Sequence, residues 1–323
     1  MSKVKLFSFV KCSERSMIAS VRIARFVSEE LQIPIVTGDD IADTELETLI
    51  IVNGAYAFCN NLEALGTAIF EAKNVVWIQN DYTIIPPKSD AKAQSPFRRA
   101  FVRRKEEGKS DTMFWSTCED WAKLPGSSYV NWNCLTYDPL DKKTIVKSRQ
   151  TRKKELLYYG SWRAASGKSS RTMYFDRYFQ SPVVRTTISS PSKNFSEKYG
   201  EHELLSYIPP IRENFREELA SYGLGLYIED RMSHERFHSP ANRFYEMLSA
   251  GLPMVFQPEC GTSLRKGGYD TSRWSVANGK NVVNMLARSE EIGAEQQSVF
   301  SLKAKKERDG LSGRLKEVYE SNR

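Results

Sequence analysis

Two short segments of this 323-residue chain hold side chains whose types and spacing suit one task. Gly160-Ser161-Trp162-Arg163 follows the apolar run Leu156-Leu157-Tyr158-Tyr159, so a strand delivers a small-residue turn and an arginine to one edge of a sheet. Backbone N–H groups at such a strand-to-helix turn, with the helix dipole behind them, attract an anion. Arg163, Lys168 and Arg171 add positive charge in the same loop. The second segment, Asn242-Arg243-Phe244-Tyr245-Glu246 with Ala250-Gly251-Leu252-Pro253 behind it, lies between the strand-like runs 224–228 and 253–256, the order of a strand-helix-strand unit. Arg243 and Glu246 are three residues apart, so on a helix both emerge on one face. A carboxylate accepts two hydrogen bonds and suits a ribose diol, while arginine neutralises a diphosphate and the charge that develops on it as a glycosidic bond breaks. Together the segments read as the two halves of a nucleotide-sugar site. An intrahelical ion pair is the structural alternative for Arg243 and Glu246.

A third element, Gln79-Asn80-Asp81-Tyr82, ends the strand-like run 75–78. Asp81 there suits a general base that deprotonates an incoming hydroxyl; a turn or cap aspartate is the alternative. Ser166-Gly167-Lys168-Ser169 resembles the end of a P-loop, but more residues separate Gly160 from Gly167 than that motif allows, and position 162 is Trp rather than Gly. The three histidines, His202, His234 and His238, lack metal-ligand spacing, and the five cysteines are odd in number and scattered, which suits reduced thiols and no structural metal.

These motifs need sheets to carry them. From the N-terminus, strand-like and helix-like segments alternate (4–9, 16–31, 34–37, 49–52, 62–73, 75–78), the pattern of an α/β unit around a parallel sheet. From 86 to 150 the pattern loosens into polar and basic loops with strands only near 113–116 and 129–132. Alternation resumes at 156–159, with helices expected near 169–180 and 211–222 and a strand at 183–187. The tail 296–323 has helical spacing of apolar residues among many charges and reads as one or two surface helices. The expected domains are 1–150, 151–300 and a C-terminal helix over 301–323. Motifs at the carboxyl ends of two such sheets would meet at a cleft.

Charged residues make up 27% and hydrophobic residues 40% of the chain, and no apolar run approaches the roughly 20 residues a bilayer span requires. A soluble, unexported, cytoplasmic protein with no membrane partner is expected. The net charge of +7 is blocked rather than spread. Arg98, Arg99, Arg103, Arg104 and Lys105 crowd eight residues, and Lys142, Lys143, Lys147, Arg149, Arg152, Lys153 and Lys154 precede the Gly160 turn. Such blocks either track nucleic-acid phosphates or form solvated loops.

On the residues just quoted the chain resembles the DNA β-glucosyltransferases of T-even bacteriophages, which move glucose from UDP-glucose to hydroxymethylcytosine in DNA. The resemblance takes in Leu49-Ile50-Ile51-Val52-Asn53, the strand ending at Asp81, the Gly160 turn and the Arg243 to Glu246 helix, in the family's order. It implies a GT-B fold: two Rossmann-like domains facing a cleft, with a C-terminal crossover helix. It matches Asp81 to the catalytic aspartate, Arg163 and Arg243 to diphosphate-binding arginines, and Glu246 to the ribose-binding glutamate. Gly160 and Ser161 form the donor turn, and either Lys168 or Arg171 serves as the second arginine of that turn. The family's sugar-proximal glutamate has no clear counterpart, with Glu14, Ser16 and Ser20 all candidates, so the transferred sugar is open. The implied reaction moves a sugar from a UDP-sugar to a hydroxymethylated pyrimidine in double-stranded phage DNA, with inversion. The implied protein is a monomer with no tightly bound cofactor; a divalent cation, Mg or Mn, at the diphosphate is left open. Arg98, Arg99, Arg103, Arg104 and Lys105 would contact DNA. The alternatives are a GT-B enzyme with a glycan, lipid or small-molecule acceptor, and a DNA-binding protein that has lost catalysis.

Overall fold

The computed structural model describes residues 4–7, 19–36, 46–52, 61–80, 96–162, 171–211 and 215–322. The chain divides into two compact units, one of 1–135 with 309–323 and one of 136–308. The first boundary thus falls ahead of residue 150, because the segment after 135 joins the second unit.

Unit 1 runs β1 (Val4–Phe7), α1 (Ala19–Leu31), β2 (Ile35–Val36), β3 (Thr48–Val52), α2 (Leu62–Glu71), β4 (Asn74–Gln79), α3 (Pro96–Glu106), β5 (Met113–Ser116), α4 (Glu119–Ala122) and β6 (Ser128–Tyr129). The six strands pair in parallel in the order β2-β1-β3-β4-β5-β6. The central strands read as near-continuous apolar runs, Leu49 to Val52 and Val75 to Ile78, because helices cover both faces of a parallel sheet. The expected strand at 129–132 is only β6, and Trp132–Thr136 forms a 3-10 turn pinned by Trp132 Nε1 donating to Trp115 O at 2.8 Å.

Unit 2 runs α5 (Lys142–Gln150), β7 (Lys153–Tyr159), α6 (Thr172–Phe179), β8 (Thr186–Ser189), α7 (Asn194–Tyr199), β9 (Leu205–Ile208), α8 (Phe215–Ala220), β10 (Tyr222–Tyr227), α9 (Arg231–Arg236), α10 (Asn242–Ser249), β11 (Met254–Phe256), α11 (Gly261–Lys266), α12 (Gly279–Ala287) and α13 (Ser289–Ser321), the last passing into unit 1 from Asp309. Its five strands are all parallel, in the order β11-β10-β7-β8-β9. Tyr158, Phe175, Phe179 and Phe195 form an aromatic core under β7, and Trp162 joins it edge-on to Phe195 at 4.7 Å between centroids. The residue after the Gly160-Ser161 turn is thereby anchored.

The two α/β units match the expected fold class. The basic stretches at 98–105 and 142–150 are helical rather than loops. Cys118, Cys134 and Cys260 are buried free thiols, and no helix among the described residues is long and apolar enough to cross a membrane.

Candidate functional site

β7 is the middle strand of its sheet, and the turn that leaves its carboxyl end is held in place on both sides. Gly160 N donates to Ser189 O at 3.0 Å, extending the ladder toward β8 by one residue. On the other side the Arg243 guanidinium lies directly over the glycine: a Cβ at residue 160 would stand 2.1 Å from Arg243 Nη1. Gly160 has φ 153°, a backbone setting that favours glycine, so sterics and backbone agree on the residue. Ser161 O accepts from the Tyr158 hydroxyl at 3.3 Å.

The second half of the site comes from α10. Ala241 N, at the helix N-cap, donates to Tyr227 Oη at 3.0 Å, which ties the helix start to the end of β10. At the other end Gly251 (φ 64°) closes a Schellman motif, with Gly251 N donating to Leu248 O and Leu252 N to Met247 O, both at 3.0 Å. The chain therefore turns at once into β11. This fixed helix presents Arg243 and Glu246 toward the β7 turn. Arg243 Nη1 donates to Tyr159 O at 3.2 Å, and Nη2 to Ile228 O at 2.9 Å and to Glu229 Oε1. Glu246 accepts from the Tyr159 hydroxyl at 2.7 Å. The two side chains thus reach adjacent points of one strand end instead of pairing with each other.

Arg171 completes the cluster from the start of α6, and its guanidinium pairs with the other oxygen of Glu229. Asp230 Oδ2 lies 3.9 Å from Arg171 Nε. Burial opposes the Arg243 charge, but Glu229 first, then the Tyr158 and Tyr227 oxygens, outweigh it and hold the guanidinium above its ordinary range. Two largely buried arginines thus share the Glu229 carboxylate, and their guanidinium groups stand side by side at the strand end. A diphosphate is the class of ligand whose charge and oxygen spacing complement such a pair.

Behind the cluster, His234 Nε2 sits 3.9 Å from Cys260 Sγ. Burial depresses the imidazole despite the nearby Glu229 and Asp230, and burial pushes the Cys260 thiol well up. This pair packs as neutral groups; a buried, protonated thiol is not a nucleophile.

Gly160, Ser161, Arg171, Arg243 and Glu246 are therefore brought together at the carboxyl end of β7. Arg163, Lys168 and Asp81 lie outside the described residues. Gln79, two residues before Asp81, is fully buried at the end of β4, its Oε1 accepting from the Ser116 hydroxyl at 3.2 Å. Two site residues escaped the sequence reading, Glu229 and Tyr159. The available signal for Glu229 was its position, an acidic residue just past the carboxyl end of a buried strand.

The basic block on α3 divides. Arg104 does not face solvent, which corrects the expectation that it contacts DNA: it is 2% exposed and donates to Ile69 O at 2.8 Å, Lys73 O at 3.1 Å, Ser110 O at 3.2 Å and Ala72 O. Its fork collects the carbonyls at the end of α2, so its role is to hold α2 and α3 together. Arg99, Arg103 and Lys105 are exposed. Arg99 lies 3.5 Å from Glu63, and Arg103 pairs with Glu107 at 3.3 Å while stacking on Phe70. Arg98 lies on α3 by its backbone. Among the described residues no group of three or more His, Cys, Asp or Glu is placed to hold a metal ion.

No protein-family model matches the chain, and no curated protein matches it in sequence. Solved structures do. A mutant of the T4 phage β-glucosyltransferase, in complex with UDP-glucose, superposes with TM-score 0.69 at 14% identity, covering 98% of this chain and 99% of that one. Anabaena HepE in complex with UDP gives TM-score 0.51 at 11% identity, covering 97% and 99%. An alpha-glucosyltransferase in complex with UDP and a short DNA containing an HMU base gives TM-score 0.50 at 12% identity, covering 96% and 93%. The chain thus has the GT-B glycosyltransferase fold from end to end.

Proposed function

We propose that this protein is a glycosyltransferase that moves a sugar from a UDP-sugar to the hydroxymethyl group of a modified pyrimidine, 5-hydroxymethylcytosine, in double-stranded phage DNA, acting as a monomer in the host cytoplasm. One observation carries the donor half: the Gly160 turn, Arg171, Arg243 and Glu246 converge at the carboxyl end of a parallel sheet. That is the edge at which open α/β sheets bind nucleotides. The fold shared with structures that hold UDP-glucose or UDP supports it. The DNA bound by one of them, together with the exposed cations on α3, supports the acceptor.

In this reading Glu246 takes the ribose diol. Arg163, Arg171, Arg243 and Lys168 neutralise the diphosphate. Asp81 accepts the proton of the hydroxymethyl group as its oxygen attacks the anomeric carbon. The bond from that carbon to the β-phosphate oxygen breaks, its electron pair leaves with UDP, and direct displacement inverts the anomeric centre. A hydroxymethyl group stacked in a duplex must be flipped out to react, at a few kcal/mol that backbone contacts from Arg98, Arg99, Arg103 and Lys105 offset.

The second reading, a GT-B enzyme with a different acceptor, is favoured by the burial of Arg104 and by the carboxylates already paired with Arg99 and Arg103. Nucleoside mass spectrometry after incubation with a panel of UDP-sugars separates the two, using hydroxymethylcytosine DNA and matched unmodified DNA, with Mg, with Mn and with chelator. A hexose or pentose gain on the modified base alone establishes the reaction and its metal requirement. UDP release or tight UDP binding without any gain keeps the donor site and discards the DNA acceptor.

A further inference from the structure

Of the seven cations between 142 and 154, three are already engaged and a fourth lies off the helix. Arg149 and Arg152 both reach Glu290, at 3.6 and 3.3 Å, and Arg152 also donates to Gly251 O and Ala220 O. Lys153 lies over the Tyr222 ring. Lys154 stands on β7, beyond the helix. Lys142, Lys143 and Lys147 differ: all three are exposed, and none pairs with a carboxylate among the described residues. Together with Val146 and Gln150 they line one broad side of α5, since 142, 146 and 150 form one row of residues four apart and 143 and 147 the next.

The face is fixed rather than loose. Asp141 caps α5, its carboxylate accepting from Lys143 N at 2.9 Å and Thr144 N at 3.0 Å. On the inner side Ile145 packs on Gly251, its Cγ2 3.1 Å from where a Cβ would be. Val146, 52% exposed, sits among the lysines. Three ammonium groups, unpaired among the described residues and presented by a capped and buttressed helix, match a polyanion whose charges repeat.

We propose that the outer face of α5 binds the phosphate backbone of the DNA acceptor through Lys142, Lys143 and Lys147, giving unit 2 a nucleic-acid contact of its own. The proposal rests on the DNA reading above. Each phosphate neutralised by a lysine releases condensed counterions, so the face contributes to the salt dependence of binding and not to base selection.

The test is fluorescence anisotropy of a hydroxymethylcytosine duplex with the full chain, titrated across salt concentrations. The wild type is compared with Lys142→Gln/Lys143→Gln/Lys147→Gln and with Lys193→Gln/Lys280→Gln, which removes exposed charge elsewhere in unit 2. In the triple variant the slope of log K against log salt should become shallower by about 2 to 3. The control variant, UDP affinity and the unfolding midpoint should stay at wild-type values. A wild-type slope in the triple variant overturns the α5 contact while leaving the DNA reading intact. A wild-type chain that does not bind the duplex overturns both.

Discussion

At Gly160 an added Cβ would meet Arg243 Nη1 at 2.1 Å and Tyr158 Oη at 3.1 Å, on a backbone with φ 153°. Arginine can swing away, but only by giving up Tyr159 O, Ile228 O and Glu229 together. Gly160→Ala should therefore destabilise the protein by roughly 1 to 3 kcal/mol and weaken UDP binding about tenfold or more, a loss of about 1.4 kcal/mol. Isothermal titration with UDP beside chemical unfolding checks both, and unchanged UDP affinity would remove the Arg243 guanidinium from the donor site. His234 makes a pH prediction. Its folded-state pKa lies below the ordinary 6.5, mainly through burial, so below about pH 6.5 the unfolded chain gains a proton that the folded chain refuses. Stability is then full above that pH and falls as pH drops through it toward the folded value. Thermal melts between about pH 5 and 8 should show this decline, and His234→Gln should flatten it; an equal slope in the variant would assign the decline to other groups. At this scale the sequence displayed Arg243 and Glu246 well, because both sit on one short helix. Glu229 was hidden, since its partners lie 58 and 14 residues away and only folding brings them to one carboxylate.

Charged helices were the least legible elements. On α3 the buried side carries Ala100, Phe101 and Arg104, so a cation stands where the apolar period expects a hydrophobe. Read as a pattern, PFRRAFVRRKE looks like a solvated run; read in place, the arginine is an internal clamp. On α5, KKTIVKSRQ has too few apolar residues to declare a face, and its start is written instead in the Asp141 cap. Most strands, by contrast, were plain: β5 falls where expected at 113–116, and β10, α10 and β11 follow in the expected order. Burial lowers the affinity of Arg104 for its proton, yet the ring of carbonyls gives its N–H groups direct acceptors. Arg104→Ala leaves several buried carbonyls without a donor, each worth about 1 kcal/mol or more, so the loss should reach at least about 3 kcal/mol. Arg104→Lys should recover little, because one ammonium cannot reproduce the planar fork. Arg103→Ala, on the exposed side, should stay within about 1 kcal/mol of wild type. Urea unfolding of the three variants decides the matter: equal, small effects would return Arg104 to the surface set.

Most strands of the two parallel sheets were legible, because buried runs of branched and aromatic residues alternate with amphipathic helices; the edge strand β9, half exposed and with polar residues in its sequence, was not. The division between units was less so. The expected boundary at 150 followed a loss of pattern, whereas the compact units part at 135/136, with α5 already in unit 2. The C-terminal segment presents the sharper whole-molecule question, because α13 is one helix of 33 residues whose last part, from Asp309, belongs to unit 1. Leu311, Leu315 and Val318 are each at most 3% exposed there. Tyr319 meets Trp115 edge-on, Arg314 donates to Tyr129 O at 3.2 Å, and Lys316 pairs with Glu30 at 3.1 Å. Burying three aliphatic side chains contributes roughly 1.5 to 3 kcal/mol apiece, which together rivals the whole stability of an ordinary domain, about 5 to 15 kcal/mol. The part of α13 before 309 has its own anchors in unit 2: Phe300 and Ala304 are buried, and Glu307 accepts from the Tyr245 and Tyr269 hydroxyls at 2.6 and 2.8 Å. A chain ending at Arg308 should therefore lose unit 1 and keep unit 2. Calorimetry should show the unit 1 transition abolished or moved far down, limited proteolysis should cut within 1–135, and UDP should still raise the midpoint of what remains. If residues 1–135 stay protected in the shortened chain, the last turns of α13 are an appendage, and the core of unit 1 closes without them.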